Sequence, residues 1–243
     1  MRDYKEEANA RVQYIQNILS AAHADGIIYG NSGGKDSALV GILCKMACEN
    51  TVGLIMPGGS KQNYDSDKRD AEIVARQYGI DSRYIDLADL RASFVSVIGK
   101  ITHISQAGLT NIMPRLRMTA LYTVAASENR LVAGTGNRSE IYMGYFTKWG
   151  DGAFDFNPIA DLTVTETYEF LRYFNAPDSV LVKPPSGGLF DGQTDEAEMG
   201  ISYESIDAYL LTGKSSAEDK AIIDRLHSIS EHKRAMPSVY ERE

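Results

Sequence analysis

What this chain can fold into is constrained most by the stretch Tyr29-Gly30-Asn31-Ser32-Gly33-Gly34-Lys35-Asp36-Ser37. The apolar run Gly26-Ile27-Ile28-Tyr29 leads into it and reads as a buried strand. Ala38 to Met46 follow, apolar at helical spacing. A Ser/Gly loop between a strand and the first turn of a helix aims backbone N–H groups and the positive helix end at one point. That geometry suits an anion, above all phosphate. Gly33 and Gly34 allow close backbone approach and positive φ, and Ser32 and Ser37 add hydroxyl donors. Asp36 is out of place beside phosphate unless a cation lies between them, the usual arrangement for Mg2+. The stretch is not a Walker A loop, because Lys35 precedes Asp where that motif has Ser or Thr.

The rest of the chain alternates. Helices are expected over 3–22, 36–49, 65–78, 87–101, 114–128, 203–211 and 216–230, and strands over 26–30, 51–56, 83–85 and 130–133. Such alternation predicts a parallel sheet with helices on both faces, binding ligands beyond the carboxyl ends of its strands. The stretches 30–37, 56–60 and 134–140 each follow a strand and should gather at one edge. The length of 243 residues permits one large α/β domain or two small ones. At 43% hydrophobic residues the chain can bury a core. Residues 180–202 are polar and rich in Gly and Pro, which reads as a lid or a mobile surface loop.

Charge narrows the partners. The net charge of −8, with no block of Lys or Arg, weighs against nucleic-acid binding. Any anionic ligand must be held by a few placed cations. No apolar run approaches the roughly 20 residues needed to span a membrane. The charged start from Met1 to Glu7 lacks an apolar signal core, so a cytoplasmic location is expected. Cys44 and Cys48, one helical turn apart, read as small buried hydrophobes.

Two further segments narrow the function. They are Gly134-Thr135-Gly136-Asn137-Arg138-Ser139-Glu140 and Gly144-Tyr145-Phe146-Thr147-Lys148-Trp149-Gly150-Asp151-Gly152, the latter followed by Asp155-Phe156-Asn157-Pro158. The first loop resembles the SGGxDS loop of the ATP pyrophosphatases. Together the three segments resemble the ammonia-dependent NAD synthetases, from about residue 10 to 237. The resemblance implies one domain over 1–243 with the Rossmann-like adenine nucleotide alpha hydrolase-like fold, and a lid near 183–200. It implies ATP and Mg2+ as cofactors, deamido-NAD and ammonia as substrates, and a homodimer, because the deamido-NAD site of the family lies between subunits. The reaction implied is amidation of deamido-NAD through an NAD-adenylate, with AMP and pyrophosphate released. No length remains for a glutaminase domain, which fits the ammonia-using form.

Position by position, the resemblance assigns Gly30, Asn31, Ser32, Gly33, Gly34, Lys35, Asp36 and Ser37, with Thr135 and Ser186, to ATP. It assigns Asp36 and Glu140 to magnesium. Arg115, Lys148, Asp155, His232 and Lys233 go to deamido-NAD, and Asp36, Glu140, Lys148 and Asp155 form the catalytic set. Glu140 is equally suited to the first turn of a helix, and His232 and Lys233 to a charged helix end. Two positions depart from the family. Val164 stands where a phosphate-binding Lys is usual, so some phosphate charge must be neutralised another way, with Lys35 and Lys183 as candidates. Many relatives carry Gln or Val at position 35, so Lys35 faces either phosphate or solvent. The competing readings are a tRNA-modifying or purine-amidating adenylase, and a non-catalytic nucleotide-binding protein on the same fold.

Overall fold

The computed structural model describes residues 2–58, 60–188, 192 and 194–240. Helix α1 (Tyr4–Ala22) leads into β1 (Gly26–Gly30), α2 (Lys35–Ala47) and β2 (Thr51–Ile55). A π-helical turn (Asn63–Asp67) runs into α3 (Lys68–Tyr78), then β3 (Asp81–Tyr84), α4 (Ala88–Ile98), α5 (Gln106–Ser127) and β4 (Arg130–Ala133). The remainder is helical: α6 (Arg138–Met143), α7 (Val164–Tyr173), α8 (Asp178–Leu181), α9 (Asp195–Met199), α10 (Tyr203–Thr212), α11 (Ala217–Ile229) and α12 (Glu231–Arg234).

The four strands form one parallel sheet in the order β3-β2-β1-β4. Side chains alternate between its faces. Ile27 and Tyr29 pack with Ile15, Leu39, Leu43 and Phe170 from α1, α2 and α7. Ile28 and Val52 point the other way, onto Met113 and Leu121 of α5. Burial on both faces explains why β1 and β2 read as continuous apolar runs. A third cluster joins Met143, Val164, Tyr203, Ile206 and Ile223 and anchors α6, α10 and α11 beside the sheet edge.

β1 has β2 on one side and β4 on the other. The chain therefore leaves the sheet in opposite senses around β1, which opens a crevice at the carboxyl ends of β1 and β4. The loops carrying Asp36 and Glu140 follow these two strands.

Several boundaries differ from the sequence expectation. α5 begins at Gln106, capped by Ser105, and Pro114 lies inside it. Pro114 has the fixed φ of a first-turn residue and so reads as a start. Inside the helix its missing N–H leaves the Thr110 carbonyl unused, and burial of Ile112, Met113 and Met118 carries the helix through. β3 starts at Asp81, because an exposed edge strand lacks the apolar run that marks the others. Helices α7, α8 and α9 have no counterpart in the sequence expectation, whereas α6 starts where Glu140 suits a first turn. Of the proposed lid, residues 189–191 and 193 lie outside the described residues.

Candidate active site

After β1 the chain turns at Gly33, whose φ is +72°. A Cβ built there would meet the Asp67 carbonyl oxygen at 2.1 Å, so the loop is wedged against the π-helical turn. Inside the loop, Ser32 Oγ accepts from the Gly34 N–H at 3.3 Å and lies 3.1 Å from Ser37 Oγ. Asn31 fixes its base, donating from Nδ2 to the Ala71 carbonyl at 3.2 Å. Gly34 is the N-cap of α2 and has no side-chain cap. The first-turn N–H groups of α2 therefore keep their hydrogen-bonding capacity for a ligand.

The second loop runs Gly134-Thr135-Gly136-Asn137 from β4 into α6. Asn137 and Glu140 form a capping box: the Glu140 N–H donates to Asn137 Oδ1 at 3.0 Å, and the Asn137 N–H donates to Glu140 Oε2 at 3.1 Å. Asn137 is fully buried and its Nδ2 donates to Asp36 Oδ1 at 3.0 Å, tying the two loops together. Glu140 thus starts a helix with one oxygen and faces the crevice with the other. The two roles foreseen for it are compatible.

Lys35 lines the crevice but its ammonium is turned onto the two carboxylates. It is 5% exposed, and its ammonium sits 2.7 Å from Asp36 Oδ2 and 3.6 Å from Glu140 Oε1. Asp36 and Glu140 are brought together as the topology requires. Burial, with the Asp36 charge adding to it, raises the Glu140 carboxyl well above the usual carboxylate range, although Lys35 opposes this. For Lys35 burial acts downward, but the charges of Asp36 and Glu140 outweigh it and its pKa is raised.

Phosphate charge at Val164 is absent, because that side chain is buried in the third core cluster. Lys183 is committed elsewhere, pairing with Asp67 at 2.7 Å and Asp70 at 2.9 Å and donating to the Gly33 carbonyl at 3.3 Å.

Both loops line a cavity of about 400 Å3, together with Ser186, Lys233 and Thr135. Arg115, Lys148, Asp155 and His232 lie outside its lining. Asp155 uses both oxygens, accepting from the Val132 N–H at 2.7 Å and from the Tyr122 hydroxyl at 3.2 Å. Lys148 donates to the His232 carbonyl at 2.6 Å, and Arg115 donates to the Lys148 carbonyl at 3.3 Å. Lys233 reaches back to the carbonyls of Gly144 and Phe146 at 2.8 and 2.7 Å. The charged end of α12 is therefore a clasp on the loop after α6. Burial lowers the Lys233 pKa, Asp151 opposing.

Two groups that line the cavity, Asp195 and Arg117, and the buried Asn137 beneath it carry no sequence expectation. Asp195 accepts from the Gly187 N–H at 2.9 Å and the Tyr203 hydroxyl at 3.0 Å, and burial raises its pKa. Arg117, on α5, donates to the Met56 carbonyl at 3.0 Å and to Asn63 Oδ1 at 3.3 Å. Asn137 was read only as part of a motif, although Asn-x-x-Glu before a helix is a capping signal that could have assigned it. Asp151 lines the cavity and accepts from the Thr147 N–H at 3.0 Å. Its pKa is raised by burial.

Among the described residues no group of three or more His, Cys, Asp or Glu side chains is disposed to hold a metal. A two-carboxylate site still fits Mg2+, which keeps waters and is bound through one or two carboxylates plus substrate phosphates. Asp36 Oδ2 and Glu140 Oε1 already face one cation, the Lys35 ammonium.

The NAD synthase family matches residues 7–241 of the chain. An NH(3)-dependent NAD(+) synthetase of Carboxydothermus hydrogenoformans is 43% identical over 240 residues, covering 98% of each chain. Among solved structures, NMN synthetase from Francisella tularensis superposes with a TM-score of 0.93 at 34% identity over the whole of both chains. The NH3-dependent NAD synthetase of Campylobacter jejuni, in complex with nitrate, gives 0.80 at 29% identity, covering 99% of this chain and all of the other.

Proposed function

The chain belongs to the NAD synthase family, and from that premise we propose that it amidates deamido-NAD with ammonia at the expense of ATP, through an NAD-adenylate, giving NAD, AMP and pyrophosphate. The observation that carries this reading is the pairing of Asp36 and Glu140 across two loops beside an uncapped helix N-terminus.

The loop 30–37 holds the β- and γ-phosphates with its N–H groups and the hydroxyls of Ser32 and Ser37. Asp36 and Glu140 would hold Mg2+, which when bound neutralises charge gathering on the departing pyrophosphate. The substrate carboxylate forms a bond to the α-phosphorus as the bond to pyrophosphate breaks. Catalysis in this step is mostly positioning and electrostatic stabilisation. Ammonia then adds to the activated carbonyl and AMP leaves. Asp151, which lines the cavity with its pKa raised, is better placed than Asp155, which lies outside the lining, to accept the surplus proton. Thr135 and Ser186 lie along the ATP path, and the described parts of 183–200 form a lid edge over the first loop.

Arg115, Lys148, Asp155 and His232 lie outside the cavity of one chain, which supports a deamido-NAD site completed by a second copy. An exposed apolar face supports such a copy. α4 buries none of its residues and exposes Leu90, Phe94 and Val97, with Ile101 beyond it. Such a patch supports an interface there. Phe94→Asp is expected to convert a dimer to a monomer by sedimentation velocity; a monomeric parent chain would contradict the assignment. No helix among the described residues is long and apolar enough to cross a membrane, which supports the proposed cytoplasmic location.

The closer superposition on NMN synthetase favours a second reading, in which the nicotinate mononucleotide is amidated instead. The two substrates share the reacting carboxylate and differ in the adenylyl half. Measuring kcat/KM for both, with ATP, Mg2+ and ammonium, decides between them. The dinucleotide reading expects a preference of about tenfold or more for deamido-NAD, about 1.4 kcal/mol of differential transition-state binding. A preference for the mononucleotide would overturn it.

A further inference from the structure

Each carboxylate of the Asp36–Glu140 pair uses one oxygen on Asn137, Asp36 Oδ1 on its side-chain Nδ2 and Glu140 Oε2 on its backbone N–H. Each aims the other oxygen at the ammonium of Lys35. A divalent ion bound by this pair must take those same two oxygens, Asp36 Oδ2 and Glu140 Oε1. Lysine and metal therefore compete for one position. The ammonium also lies 5.6 Å from the ring centroid of Tyr203, whose hydroxyl donates to Asp195. It is a compact charge on a flexible stem, so it can move without disturbing the backbone of α2. A vacancy for positive charge exists nearby: Val164 brings none, and Lys183 is held by Asp67 and Asp70.

We propose that Lys35 is a tethered counter-ion, which holds Asp36 and Glu140 together before the metal arrives and is displaced by it toward the polyphosphate of ATP. This rests on the metal assignment above and goes beyond it. The metal-free acid pair is kept from repelling itself, and the charge missing at Val164 is supplied from the first loop.

The test is Mn2+ binding without nucleotide, read by electron paramagnetic resonance of the free ion. It compares the parent protein with Lys35→Gln, Lys35→Arg and Asp36→Asn. Lys35→Gln removes the competitor and is expected to bind Mn2+ about tenfold more tightly than the parent, a shift of about 1.4 kcal/mol. Lys35→Arg keeps the charge and folds without leaving the acid pair uncompensated, so it is expected to bind no more tightly than the parent. In the same series Lys35→Gln should weaken binding of α,β-methylene-ATP several-fold. Parent-like Mn2+ affinity in Lys35→Gln, with binding lost in Asp36→Asn, would overturn the counter-ion proposal and leave the metal assignment standing. Unchanged affinity in Asp36→Asn would overturn both. If Lys35→Gln melts too low to titrate, the gain in Tm on adding Mn2+ is read instead. A gain no larger than that of Lys35→Arg would count against the proposal.

Discussion

Asp36→Asn is expected to lower kcat/KM by about 10^3-fold, about 4 kcal/mol of transition-state stabilisation, while leaving the fold in place. The substitution is chosen for what it keeps. An asparagine carbonyl still accepts from Asn137 Nδ2, so the link between the two loops survives. Lys35 retains Glu140 as a partner. What is lost is the negative charge that would bind Mg2+ against the leaving pyrophosphate. Glu140→Gln makes the matching case from the other loop. Glutamine serves a capping box as well as glutamate, so α6 keeps its start and only the charge facing the crevice disappears. A loss of similar size in both variants, with Tm near that of the parent, supports one shared ion. Full activity in Glu140→Gln would reduce Glu140 to a helix-starting residue.

Gly33→Ala is expected to damage both stability and ATP use. At φ +72° an L side chain is strained, by about 1–2 kcal/mol. The added Cβ would also fall 2.1 Å from the Asp67 carbonyl oxygen, a backbone atom that cannot rotate away. Either the loop or the π-helical turn must move. For a chain of this size a loss of about 2–3 kcal/mol lowers Tm by roughly 4–12 °C. A displacement near 1 Å at the phosphate loop costs about 10^2-fold in kcat/KM, with KM for ATP rising. Calorimetry and steady-state kinetics on one preparation read both effects. Parent-like KM for ATP in Gly33→Ala would show that the loop does not grip the nucleotide.

The parts of the site that the sequence disclosed are those where local pattern and topology agree. A buried strand, glycines and an apolar helix mark the first loop without ambiguity, and the parallel-sheet rule brings it to the loop after β4. Asp36 and Glu140 follow from that. The direction of Lys35 does not. By position Lys35 reads as facing either phosphate or solvent, and only the third dimension shows two carboxylates and the Tyr203 ring around it. Asp195 was hidden for a similar reason: it lies in a polar, Gly/Pro-rich stretch and is buried only because Tyr203 and the Gly187 N–H meet it. Lys148 and Lys233 are expected at the substrate, and within one chain their ammonium groups donate to the backbone carbonyls of His232, Gly144 and Phe146. Such contacts have no periodicity and leave no signal in the sequence. The thiol of Cys44 did follow its pattern, as a buried small hydrophobe whose pKa is pushed up by burial.

The central claim is that the loops after β1 and β4 hold one divalent ion against the outgoing pyrophosphate. The most direct measurement is an anomalous difference map from crystals grown with Mn2+ and pyrophosphate. The account predicts a single strong peak between the carboxylates of Asp36 and Glu140, with pyrophosphate seated on the first turn of α2. Pyrophosphate bound there with manganese located away from both carboxylates would contradict it.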